Sequence, residues 1–221
     1  MANEREFVLI YNRSNPETEG WEAPEMGFLR VPPGYHLDKV IVRGILSVAQ
    51  GYNLAMGQTA ARYKIYLQEG AAIVYQDFLE EVLGLFLKYS ELGLLGVMGA
   101  KRLPPNGVWW EARETYGQMD YRGNLIQGSQ AIMSDYAEVQ AIDGIMMATQ
   151  YDLPWREDLF SSRYFYDIAQ SLEFTKAGYT VGVAKQKAPW LARIMTDDLI
   201  LYQQYRRVFV KEYGSVISAG Q

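Results

Sequence analysis

Over the first hundred positions, short apolar runs alternate with segments whose apolar side chains recur every three or four places. FVLIY at 7–11, KVIVR at 39–43, YKIYL at 63–67 and GLLGVM at 93–98 are brief and rich in strand formers, and they read as largely buried strands. Between them, 47–58 places Val48, Tyr52, Ala55 and Met56 on one helical face, with Ser47 as its N-cap. Segment 76–87 gathers Phe78, Leu79, Val82, Leu83 and Phe86 into a broad apolar stripe, which predicts a second helix. Strand–helix alternation of this kind predicts an α/β fold with a mostly parallel sheet flanked by helices. Its crossovers are right-handed, and its functional crevice lies beyond the carboxyl ends of the strands.

The pattern changes after residue 100. AKRLPPNG at 100–107 is loop chemistry, VWWE at 108–111 is short and aromatic, and 112–137 is polar and weakly periodic, as expected of an excursion or mobile loop. EVQAI at 138–142 and IMMA at 145–148 read as strands on either side of Asp143-Gly144. A helix is predicted over 164–177 with Gly178 at its C′ position, then a final strand over 179–183, then a C-terminal helix over 197–213 with Asp197 or Asp198 near its start. No repeat or linker divides the chain. It is expected to form one domain over 1–221, with a first half at 1–100, a second at 101–195 and a terminal helix at 196–221.

Composition narrows the chemistry. The chain has 221 residues and no cysteine, so disulfides, zinc–thiolate centres and a cysteine nucleophile are excluded; its single histidine, His36, argues against a histidine-rich metal centre or a Ser–His–Asp triad. A net charge of −5 without a basic stripe argues against nucleic-acid binding. The N-terminal apolar run FVLIY is too short for a signal-peptide core and far too short for a membrane span, so a cytoplasmic protein is expected. Neither a phosphate-cradling GxxxxGK[ST] nor a GxGxxG after a strand is present. The aromatic content of 14%, with 17 tyrosines and five tryptophans, suits either sugar stacking or core filling, and the second is the commoner use.

Five segments carry a resemblance: YNLAM at 52–56, ARYKIYL at 61–67, GVWWE at 107–111, the block at 138–158, and FYDIAQSLEFTKAGY at 165–179. Together they resemble a small glycosyltransferase-like family of the GT-A superfamily, close to family 2 and related to a domain of a streptomycin-biosynthesis protein. The resemblance implies a GT-A, Rossmann-like fold whose first half holds a nucleotide-diphospho-sugar and whose second half holds a carbohydrate or other hydroxyl acceptor. Sugar transfer of this kind needs a base, stabilisation of the leaving diphosphate, and exclusion of water.

Asp167 stands where the resemblance implies the general base, with Tyr166 in place of a neighbouring acid. A carboxylate in the first turn of a helix is expected to stay ionised, and an ordinary helix-starting role is the alternative. The family typically follows the strand like YKIYL with His-Gln-Asp; here Gln68-Glu69-Gly70 leaves Glu69 as the only acid. A second metal ligand, a His after Pro-Trp, is replaced by Arg193. The resemblance implies Mg²⁺ or Mn²⁺ as a cofactor, with Glu69 its one weak candidate ligand. Alternatively, Arg193 supplies positive charge directly to a phosphate, since guanidinium pairs with phosphate oxygens in bidentate fashion.

Other candidates follow. Asp143 faces a substrate sugar or merely forms an Asx turn before Gly144. Trp110 or Trp109 stacks on a sugar while the other packs in the core. Tyr11, Asn12 and Asn53, with Tyr52, flank the nucleoside end of the crevice. Trp155 to Asp158 line the acceptor pocket or cap a local turn, the second being the commoner use, and His36 lies on the surface. The readings left open are a glycosyltransferase, a catalytically silent nucleotide-sugar or glycan-binding domain, and an interaction module of a cell-surface polysaccharide assembly. The aromatic 100–137 region is a candidate oligomer surface.

Overall fold

The computed structural model describes residues 3–13, 26–45, 47–193 and 199–219. Each of the four expected early strands forms, and each is longer than its apolar run or is redistributed. β1 (Asn3–Arg13), β2 (His36–Arg43) and β3 (Ala61–Leu67) extend past their cores because their neighbours supply ladder partners on both sides of β1. α1 (Val48–Gly57) starts where expected: the Ser47 hydroxyl accepts from the Gln50 amide at 3.2 Å and donates to the Phe160 carbonyl. α2 (Phe78–Lys88) buries the stripe Phe78, Leu79, Val82, Leu83 and Phe86.

The segment read as one strand over 93–98 is two. β5 (Leu92–Gly96) lies in the main sheet, and β6 (Met98–Ala100) crosses into a second sheet. Likewise 138–142 divides into β9 (Tyr136–Glu138) in the main sheet and β10 (Ala141–Ile142) in the other. β4 (Ala71–Ile73) was hidden because three residues carry no readable period. β11 (Met146–Thr149) follows Asp143-Gly144.

The expected excursion at 112–137 contains a hairpin, β7 (Thr115–Tyr121) with β8 (Asn124–Gln127). Its two-residue loop, Arg122-Gly123, has positive φ at both positions, the geometry that matches the twist of the flanking strands. The hairpin escaped the pattern because most of its side chains stay at least partly exposed. α3 (Tyr166–Lys176) ends as expected with Gly178 at φ +90°. β12 (Thr180–Ala184) is not the last strand, since β13 (Leu191–Arg193) follows and pairs with β4 and β7. α4 (Leu199–Ala219) closes the described chain; the expected helix start at 197–198 lies outside the described residues.

The main sheet has the order β2-β1-β3-β11-β5-β12-β9, and only β11 and β9 run against the rest. The second sheet has the order β10-β6-β7-β13-β4. Apolar side chains of both sheets and all four helices belong to one continuous core. Much of the aromatic content is spent there, with Tyr11, Tyr52, Tyr66, Tyr166 and Tyr213 among the most fully buried side chains. No described helix is long and apolar enough to cross a membrane.

Candidate functional site

Two neighbouring cavities open at the carboxyl rim of the main sheet, where β1 and β3 end and where the chain turns back into β11. The larger, of about 110 Å³, has Asp143, Asp167 and Arg193 on its polar side and Trp109, Trp110 and Tyr202 among its aromatic walls. The smaller is a crevice walled by Asn12, Val48, Tyr52 and Glu69. Gln68 and Arg163 belong to the walls of both.

Asp167 is held by its surroundings rather than by its helix alone. Its Oδ2 accepts from the Gly144 amide at 2.8 Å. Beside it, the Tyr166 hydroxyl donates to the Gly144 carbonyl at 2.9 Å. So close an approach needs glycine at 144. A Cβ there would lie 2.5 Å from the Tyr166 hydroxyl and 2.8 Å from the Asp167 Cβ. One turn on, the Ser171 hydroxyl accepts from the Ile142 amide and donates to the Asp167 carbonyl, fixing α3 to β10. The residue before the helix, Phe165, sits at φ +63°, a costly conformation for a bulky side chain and one that clusters at functional sites.

Burial, and then the nearby Asp143 carboxylate, push the Asp167 carboxyl up to about 7. This corrects the expectation that the helix start keeps it ionised. Backbone N–H groups do pull the other way, but desolvation of the charged form outweighs them here. Asp143 forms the Asx-type turn, its Oδ1 accepting from the Ile145 amide at 2.8 Å, and also lines the cavity beside Asp167.

Arg193 ends β13 and is nearly buried, yet it reaches the same cavity from the opposite sheet. Trp110 is half-exposed at the cavity wall and packs on Tyr202 of α4, with ring centroids 5.2 Å apart. Its neighbour Trp109 is buried, as expected of one member of the pair.

The remaining expected residues divide. Asn12 and Glu69 line the crevice, but the Asn12 amide also donates to the Ser47 carbonyl at 3.2 Å, tying the end of β1 to the start of α1. Tyr11 and Asn53 line neither cavity. Tyr11 is 1% exposed, so it packs in the core instead of flanking a base. Asn53 is turned to the Trp155 backbone, donating to its carbonyl at 3.0 Å and accepting from its amide at 2.8 Å. Trp155 is buried against Tyr52 and Tyr66, and Arg156 binds Asp158, which agrees with a structural role for that segment. His36 is exposed at the start of β2. Gln68 lies in the segment that replaces the family's His-Gln-Asp but is not itself among the expected residues, and Arg163, Tyr164 and Tyr202 were missed, since a polar loop residue and tyrosines near or on a helix carry no sequence signal for a cavity wall.

The divalent cation implied by the resemblance can be tested against these residues. Gln68 to Ala71 form a tight turn, with the Ala71 amide donating to the Gln68 carbonyl at 3.0 Å and Gly70 at φ +81°. Where an acid is expected, there is therefore a glycine that the turn geometry favours. Where the histidine is expected, there is a guanidinium. Among the described residues no group of three or more His, Asp and Glu side chains is arranged to hold a metal. The described residues do not fit a chelated metal.

The fold is of the GT-A glycosyltransferase type. S. aureus TarS, residues 1–349, solved in complex with UDP, superposes with a TM-score of 0.51 at 11% identity over 86% of this chain. The match spans 61% of that structure's chain. The model of the glycosyltransferase-like family matches residues 9–213, and the chain belongs to that family. Comparison with curated proteins gives no match.

Proposed function

We propose that this protein binds a nucleotide-diphospho-sugar and transfers the sugar to a hydroxyl acceptor, with Asp167 as the base. The observation that carries the reading is the meeting of Asp167 and Arg193, from different elements, in one cavity at the carboxyl rim of the sheet. In a single displacement, the acceptor oxygen attacks the anomeric carbon and its proton passes to Asp167. The bond from that carbon to the diphosphate oxygen breaks, and the electron pair leaves with the diphosphate. A base whose pKa lies near 7 is matched to this task at neutral pH. Arg193 offsets the charge gathering on the leaving group. The aromatic walls exclude water and suit stacking on an acceptor ring. The glycosyltransferase-like family and the GT-A-type fold support the donor class.

The missing acid at Gly70 favours a second reading, a binding domain that has lost turnover. Thermal stabilisation by UDP and GDP, measured with Mn²⁺ and with EDTA, separates the cases when paired with turnover across a donor panel. Transfer by the wild type, reduced about 10²–10⁴-fold in Asp167→Asn with diphosphate binding retained, supports the transferase. Binding without turnover of any donor favours the silent domain. Binding only with Mn²⁺ overturns the role given to Arg193.

A further inference from the structure

The wall between the two cavities has a consequence for how a donor is held. Arg163 and Gln68 are the two residues common to both cavities. The crevice, of about 10 Å³, is too small to enclose a nucleoside, but a nucleotide-diphospho-sugar lying across its mouth with its sugar beside Asp167 would bring its diphosphate past that wall. The linings are acidic: Asp143, Asp167 and Glu69 stand against Arg163 and Arg193, the only cations among the described residues lining the two cavities. A diphosphate adds further negative charge, and the described residues do not fit a chelated metal that would neutralise it. Arg193 alone serves one cavity; Arg163 reaches both. Its guanidinium carbon lies 5.8 Å over the centroid of the Tyr164 ring, a contact that restrains the side chain beside the wall.

Resting on the nucleotide-sugar reading above, we infer that Arg163 is a diphosphate-binding residue: its guanidinium spans the wall between the cavities and, with Arg193, grips the donor's diphosphate from two sides. Guanidinium suits this place because its planar fork of donors pairs with two phosphate oxygens at once. The consequence is selective. Arg163 distinguishes a nucleoside diphosphate from the matching monophosphate, and it contributes little to holding the nucleoside.

Calorimetric titration tests this, with UDP, UMP, GDP and GMP in EDTA, on the wild type, Arg163→Ala and Arg163→Lys. The unliganded melting temperature reports on folding. The wild type is expected to prefer one diphosphate over its monophosphate about 10-fold or more. In Arg163→Ala that preference collapses to within about twofold while the monophosphate affinity and the melting temperature hold. Arg163→Lys keeps part of it, because the charge remains and the fork is lost. The inference is overturned if Arg163→Ala retains the preference, if it weakens monophosphate and diphosphate alike, or if the wild type binds both equally. A wild type that binds none of the four nucleotides overturns the nucleotide-sugar reading itself, and the inference with it.

Discussion

Asp167 shows how the titration of one carboxyl group can be set by its neighbours. The helix start and the Gly144 amide favour its charge, at typically 0.3–1 kcal/mol for the dipole. Burial and the Asp143 charge oppose it and win, leaving the group titrating near 7. If Asp167 is the base proposed above, transfer activity, as kcat/KM, is expected to rise with pH through about 7 and then level off, because the base must be unprotonated. Asp143→Asn removes a negative neighbour and moves that midpoint down, which a pH profile of the variant reads directly. The sign for stability is the reverse of the usual acid. The folded group holds its proton above the unfolded value of 3.8, so stability is lost as pH rises from about 4 to about 7. Asp167→Asn is expected to match the wild type near pH 4 and to exceed it by up to about 4 kcal/mol above pH 7, in denaturant titrations at the two pH values.

At the level of elements, the cavity depends on the docking of α4. That helix brings Tyr202 to the wall and is fastened at its far end by Arg156, which contacts Asp158, Glu173, Glu212 and the Tyr213 hydroxyl. Arg156→Ala is expected to cost about 1 kcal/mol, some 2–4 °C in melting temperature, and to shift tryptophan emission to longer wavelength as Trp110 loses cover from Tyr202. The same elements explain what could be read ahead of the structure. β1, β3, α1 and α2 announced themselves because each buries an apolar run or stripe of one clear period. β4 and β13, three residues each, had no period to show, and the largely solvated β7–β8 hairpin had no buried face to mark it. The crossings at Val97 and at 139–140 were invisible because an apolar run looks the same whether it stays in one sheet or passes into another. For the cavity, Asp167 and Arg193 were legible through family resemblance, Asp143 through its place between two strands, and Trp110 through its aromatic chemistry. Arg163 and Tyr202 were not, since only the folded chain places them on a shared wall.

At the scale of the molecule, the apolar side chains of the two sheets belong to one shared core. Heat or denaturant is therefore expected to unfold them together. Far-ultraviolet dichroism and tryptophan emission should give coincident midpoints, and two separated transitions would show that the halves fold independently. The turn joining β3 to β4 carries a last consequence, for anyone wishing to graft a chelating acid onto this scaffold. An aspartate written in at position 70 would inherit a left-handed backbone at φ +81°, and it would project from a four-residue bend already closed by its own hydrogen bond. Installing it would add backbone strain to that bend, so Gly70→Asp is expected to lower the melting temperature by a few degrees, which a thermal melt of the variant reads.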